Sequence, residues 1–129
     1  MTETEHIGAL LKSLRVRVGT QGVIFKHQDA RTTGVPDFSL TLLRATSWWE
    51  GKLARNYRVS GTELQRTFMR RLAVAGRAWY IVWDDLGWNI VRPQDIRENG
   101  SYAAVHAGQG SEAIIDVVID YHLGLIEES

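Results

Sequence analysis

The run Ala78-Trp79-Tyr80-Ile81-Val82-Trp83 constrains the fold more than any other stretch. Unbroken apolar character, bounded by Gly76 on one side and Asp84-Asp85 on the other, predicts a central strand covered on both faces. A second strand, Trp48 to Leu53, precedes it. Between the two, Ser60-Gly61-Thr62-Glu63 reads as a capping box opening a helix with the apolar stripe Leu64, Phe68, Met69, Leu72 and Ala75. Gly76 ends that helix. Strand, capped helix and strand in this order predict a parallel crossover, and so an α/β protein with a mixed central sheet flanked by helices.

The flanking segments extend the pattern. Thr2 to Glu5 has the form of a helix start, and Ile7, Leu10, Leu11, Leu14 and Val18 follow at helical spacing, with Gly19 as the stop. Val23 to His27 reads as a short strand, and Asp37 to Leu42 as another that pairs with Trp48–Leu53 in a hairpin across an Arg44–Ser47 link. Trp88 to Val91 is a further short strand, and Pro93 to Gly110 lacks a period. Ser111 to Leu123 predicts a last helix ended by Gly124. Its apolar residues spread too widely for one narrow stripe, which suggests a subunit interface in addition to core packing.

With 129 residues and 44% hydrophobic content, the chain is read as a single domain over 1–129, its core at about 1–92 and a C-terminal addition at about 93–129 that serves as a dimerisation element. The absence of cysteine excludes a disulfide scaffold and thiolate metal sites. With no apolar run of membrane-span length and no signal pattern, the expectation is a soluble cytoplasmic protein. Net charge is zero but unevenly spread. Residues 12–77 hold 13 Lys or Arg against 4 acids, whereas residues 78–129 hold 2 against 9. That split suggests a basic working face made by the first half, against the plainer alternative of charge scattered over the folded surface.

Chemistry concentrates where the turn Gly34-Val35-Pro36-Asp37 meets Trp48-Trp49-Glu50-Gly51-Lys52. Two-residue alternation puts Trp48, Glu50 and Lys52 on one strand face and Trp49, Gly51 and Leu53 on the other, while the hairpin brings Asp37 near Glu50. Two carboxylates with the carbonyl of Gly51 suit Mg²⁺ or Mn²⁺, and Lys52 is placed to orient water or neutralise developing charge. The competing reading is a surface acid beside an edge-strand ion pair, and the spacing alone does not decide. On a helical wheel Glu3 falls within the apolar stripe of the first helix and Glu5 outside it, although both also suit a helix dipole. Gln65 lies on the buried side of its helix and needs a partner for its amide.

In this order, the G-V-P-D turn, the E-G-K strand, Gln65 and Gly76 before an apolar strand resemble the PD-(D/E)XK nuclease superfamily, most closely the VRR-NUC nucleases and the archaeal-type Holliday junction resolvases. The resemblance covers roughly residues 1–83. It implies a restriction endonuclease-like core in the order αβββαβ, Mg²⁺-dependent cleavage of DNA and a homodimer acting on branched junctions. By position, Asp37 and Glu50 would be metal ligands, Lys52 the catalytic lysine and Gln65 its support. An acid of the first helix, Glu3 or Glu5, would be a further ligand, with Glu3 preferred. Lys26, Arg31, Arg55 and Arg58 lie on segments beside this site and are the expected phosphate contacts. The alternative is a non-catalytic nucleic-acid-binding or scaffold protein that retains the nuclease fold.

Overall fold

Helix α1 (Glu3–Val18) begins at Thr2, whose hydroxyl accepts from the Glu5 amide while the Glu5 carboxylate accepts from the Thr2 amide, each at 3.1 Å. This reciprocal box satisfies two amides that a helix start otherwise leaves open. Ile7, Leu10, Leu11, Leu14 and Val18 form its buried stripe, as their spacing predicts. The computed structural model describes residues 1–27 and 34–126. After α1 come β1 (Gly22–Lys26), β2 (Phe38–Leu42), β3 (Ala45–Leu53), α2 (Glu63–Ala75), β4 (Arg77–Asp84), β5 (Gly87–Val91), β6 (His106–Gly108) and α3 (Ser111–Leu123).

The six strands lie in sequence order in one sheet. Neighbours are antiparallel except β3 and β4, which run parallel with α2 as their crossover. The larger core lies on the face covered by α1 and α3, where Trp49, Trp79, Trp83 and Trp88 meet Leu11, Leu14, Ile114 and Val118. A smaller one lies on the other face, where Met69 of α2 packs over Ala78, Tyr80, Val82 and Val91. Among the described residues, no helix is long and apolar enough to cross a membrane.

Several elements differ from the sequence expectation. The β2–β3 link is only Leu43-Arg44, both at positive φ (51° and 64°), so β3 begins at Ala45. This two-residue geometry normally selects Gly or Asn, and without them the turn carries no sequence signature. Helix α2 is capped by Thr62 with Gln65 at its third position, not by Ser60 with Glu63. Of the expected α2 stripe only Met69 is buried. Leu64 and Phe68 are 54% and 37% exposed, because the line of Met69, Leu72 and Ala73 is what meets the sheet. The segment after Pro93 contains a short 3₁₀ turn (Pro93–Asp95) and β6, which borrows its order from pairing with β5. Helix α3 buries Ile114, Ile115, Val117, Val118 and Tyr121 within its own chain, so its apolar breadth is used internally and calls for no subunit interface.

A buried polar chain fastens α3 to the β2–β3 hairpin. Trp49 Nε1 donates to Ser47 Oγ at 2.8 Å, Ser47 Oγ lies 2.6 Å from His122 Nδ1, and His122 Nε2 lies 2.8 Å from the Leu42 carbonyl. A carbonyl only accepts, so Nε2 carries the imidazole proton and Nδ1 accepts from Ser47. The Arg77 guanidinium donates to the His122 carbonyl. Burial holds the His122 pKa below its ordinary value, as does nearby Arg77, while the hydrogen bond to Leu42 opposes them. Because the folded pKa is depressed, the contribution of His122 is complete above the ordinary histidine pKa of about 6.5 and is lost as pH falls through the folded value. We expect His122→Ala to lower the unfolding free energy at pH 7.5 by about 2–3 kcal/mol, by removing the acceptor of the buried Ser47 hydroxyl and the imidazole donor to the Leu42 carbonyl. Urea titrations from pH 7.5 to 5 should show a steeper acid decline for wild type than for the variant.

Candidate active site

The strand β3 outruns its partner. Pairing with β2 ends at Phe38 opposite Trp49, while β3 continues to Leu53 along β4. The alternate amides that face β2 up to Trp49 continue as Gly51 and Leu53, and both bond carboxylates instead of a strand. Gly51 N donates to Asp37 Oδ2 at 2.8 Å, and Leu53 N donates to Glu3 Oε2 at 3.1 Å. Asp37 in turn donates its own amide to Glu50 Oε1 at 3.0 Å. Asp37 therefore meets Glu50 at this strand edge, and Glu3 holds the same edge two residues farther along. Of the two helix acids, Glu5 is engaged in the α1 cap, whereas Glu3 is the one that reaches β3.

Gly51 permits this arrangement. A Cβ there would lie 2.7 Å from Ile7 Cγ1 and 3.0 Å from Trp83 Cζ3, so only glycine lets α1 approach β3 closely enough for Glu3 to reach Leu53. On the opposite strand face Glu50 is 6% exposed and Lys52 8%. Lys52 Nζ lies 3.7 Å from Glu50 Oε2 and donates to Gln65 Oε1 at 3.4 Å. That same Gln65 oxygen accepts from the Thr62 amide at 3.3 Å, so one side chain both caps α2 and holds the lysine.

The electrostatics are those of a carboxyl pair short of positive charge. Burial first, then the Asp37 charge and a carboxyl–carboxyl hydrogen bond to Asp37, push the Glu50 pKa up to about 9, against a smaller opposing pull from Lys52. Glu50 thus holds a proton between the two acids at neutral pH. Tyr80, opposite Glu50 across the β3–β4 pairing, was not singled out from the sequence. Its pKa is raised by burial and then by Glu50, while Arg66 and Arg70 of α2 act the other way, so those arginines lie nearer the site than a solvent-facing helix side implies. The phenol hid in an otherwise apolar run; the signal available was its parallel register with Glu50.

Among the described residues no group of three or more His, Asp or Glu side chains is gathered closely enough to hold a metal. The donor set is the Asp37–Glu50 pair, to which Glu3 is a neighbour. Two hard oxygen donors sharing a proton suit a magnesium-like ion, which takes one or two carboxylates and completes its shell with water and phosphate oxygens.

The expected phosphate contacts separate. Arg55 and Arg58 exchange backbone hydrogen bonds of 2.9 and 3.1 Å across a tight turn beyond β3, and with Glu3, Leu53 and Ser60 they line a groove of about 610 Å³ at the Leu53 end of β3. Lys26 alternates with Phe25 and His27 along β1, so it lies on the α1 face of the sheet, away from Glu50 and Lys52. Arg31 and the expected phosphate-binding loop around it fall outside the described residues.

The class is an α/β fold with a mixed six-stranded sheet flanked by helices and closed by a C-terminal helix. Among solved structures it is similar to Hjc of Archaeoglobus fulgidus, a Holliday junction resolvase from an archaeal hyperthermophile. The TM-score is 0.52 at 12% sequence identity, over 74% of this chain and 84% of that one. At this identity the likeness is one of fold. No protein-family model matches the chain, and no curated protein matches it in sequence.

With its pKa raised above the ordinary value of 4.5, Glu50 contributes stability to the metal-free fold that is complete below that value and is lost as pH climbs through about 9. Urea unfolding in EDTA between pH 7 and 9, where histidines are already neutral, should show falling stability for wild type. A flatter dependence is expected for Glu50→Gln.

Proposed function

We propose that the chain is a metal-dependent DNA endonuclease that hydrolyses phosphodiester bonds in branched DNA, in the manner of a Holliday junction resolvase. The observation that carries this reading is the meeting of Asp37, Glu50 and Lys52 at the free end of β3, with Gln65 behind the lysine. The fold shared with the archaeal resolvase supports it, and the VRR-NUC likeness rests on the sequence motifs alone.

Asp37, Glu50 and the Gly51 carbonyl would hold Mg²⁺ or Mn²⁺. The bound ion supplies Lewis-acid polarisation of a phosphodiester oxygen and a more acidic water. For that, Glu50 gives up its proton, so ion affinity rises with pH and binding releases a proton. Lys52, desolvated and held by Gln65 and Glu50, offers its ammonium to the charge that grows on the phosphate oxygens. Glu3, fixed two residues farther along the strand edge, adds negative charge there. Arg55 and Arg58 fix the phosphate backbone in the adjoining groove without reading sequence. A homodimer, which the resemblance implies, would set two such sites against two strands of a junction.

The test is cleavage of linear, flapped and four-way DNA with Mg²⁺, Mn²⁺ or EDTA. We expect divalent-dependent products favouring branched substrates, with Lys52→Ala slower by roughly 10²–10³-fold. No divalent-dependent cleavage of any substrate, together with a Glu50→Ala protein that binds DNA as well as wild type, would instead favour a scaffold that keeps the fold. Binding of catalytically blocked protein should weaken steeply as salt rises, with a slope reduced by about one unit in Arg55→Ala.

A further inference from the structure

Cross-strand register lays out two rows on the α2 face of the sheet. Phe25 pairs with Ser39 and Ser39 with Trp48. One step along, the His27 amide donates to the Asp37 carbonyl at 2.8 Å, and Asp37 reaches Glu50. The first row is aromatic and the second holds the carboxylates. The His27 ring joins them: its centroid is 5.0 Å from that of Phe25 and 5.4 Å from that of Trp48, the latter in a stacked arrangement at 22°, and its Nε2 lies 3.2 Å from Ser39 Oγ.

Helix α2 packs over β4 and reaches as far as half-buried Trp48; beyond it, among the described residues, Phe25 is 60% exposed and its strand neighbour Val23 61%. An exposed phenylalanine ring at the edge of a half-buried aromatic row calls for a partner. Phe25, His27 and Trp48 follow one another directly into the residues proposed to cut, Trp48 being two positions from Glu50 on the same face.

Resting on the nuclease reading, we propose that Phe25, His27 and Trp48 form a stacking platform for unpaired bases of the strand that enters the site. Stacking on aromatic faces tolerates any base, so the platform recognises single-stranded character beside a branch without reading sequence. It supplies what the carboxylates and arginines lack, a surface that distinguishes an open strand from a duplex whose bases are already stacked on one another.

The experiment measures binding in EDTA, where the proposed chemistry is switched off. The probes are a twelve-nucleotide dT strand, an abasic strand of the same length, and a dT strand carrying one 2-aminopurine. Wild type should bind the base-bearing strand roughly tenfold more tightly than the abasic one and change the 2-aminopurine emission. Phe25→Ala and Phe25→Leu, both at an exposed position, should bring that ratio close to one while abasic binding stays unchanged. A wild-type ratio of one, or a ratio that both variants preserve, overturns the platform. So does light scattering that finds a wild-type dimer turned monomeric by Phe25→Ala, since the row would then serve a second copy of the chain. Base-dependent binding without cleavage on any DNA would sink the nuclease reading alone; cleavage without base dependence would sink only the platform.

Discussion

Everything at the site depends on β2 leaving β3 before β3 is finished. Past Phe38 the edge of β3 presents the amides of Gly51 and Leu53 with no strand to receive them. A shielded amide without an acceptor costs about as much as a lost hydrogen bond, and here carboxylates from outside the sheet supply the acceptors. Asp37 comes from the turn before β2 and Glu3 from the first turn of α1. One geometric event, the divergence of two strands, thus opens the amides and places Asp37 and Glu3 along the same edge, with Asp37 against Glu50.

This arrangement draws the two halves of the site to opposite faces of a single strand. Gly51 admits α1 on one side, while Glu50 and Lys52 are pressed beneath the start of α2 on the other. Desolvation strengthens each pairwise term and raises the cost of each uncompensated charge. Gln65 answers part of that cost, since its oxygen serves the helix start and the lysine together. The remainder stays on the Asp37–Glu50 pair as a held proton.

Much of the architecture was legible in the sequence, because it rests on short-range rules. The order of strands and helices, the parallel β3–β4 crossover, the approach of Asp37 to Glu50 and the Gly124 stop all follow from periodicity and glycine placement. What was not legible depends on tertiary context. Leu43-Arg44 turns without turn residues because the strands on either side dictate it. Ser60–Glu63 and Thr62–Gln65 both fit a capping pattern; the observed choice places Gln65 where its amide serves both the Thr62 cap and Lys52. Strand β6 exists only against β5. For α3, pattern shows how much surface is apolar but not which neighbour covers it, and α1 and the sheet take all that a partner subunit was expected to take. Lys26 was assigned by its nearness in sequence, whereas a strand separates adjacent residues onto different faces.

The His122 chain bears on how such a protein can be divided. The last helix closes the aromatic stack of Trp49, Trp79 and Tyr121 and bonds both flanks of the β2–β3 turn, Leu42 before it and Ser47 after it. The C-terminal third is thus a keystone, not an appendage. A fragment trimmed to the motif-bearing residues would retain Glu3, Asp37, Glu50 and Lys52, yet would open the sheet to water on the face that α3 covers together with α1. Any ancestral or engineered minimal form of this fold must find another cover for that face before its acids can meet.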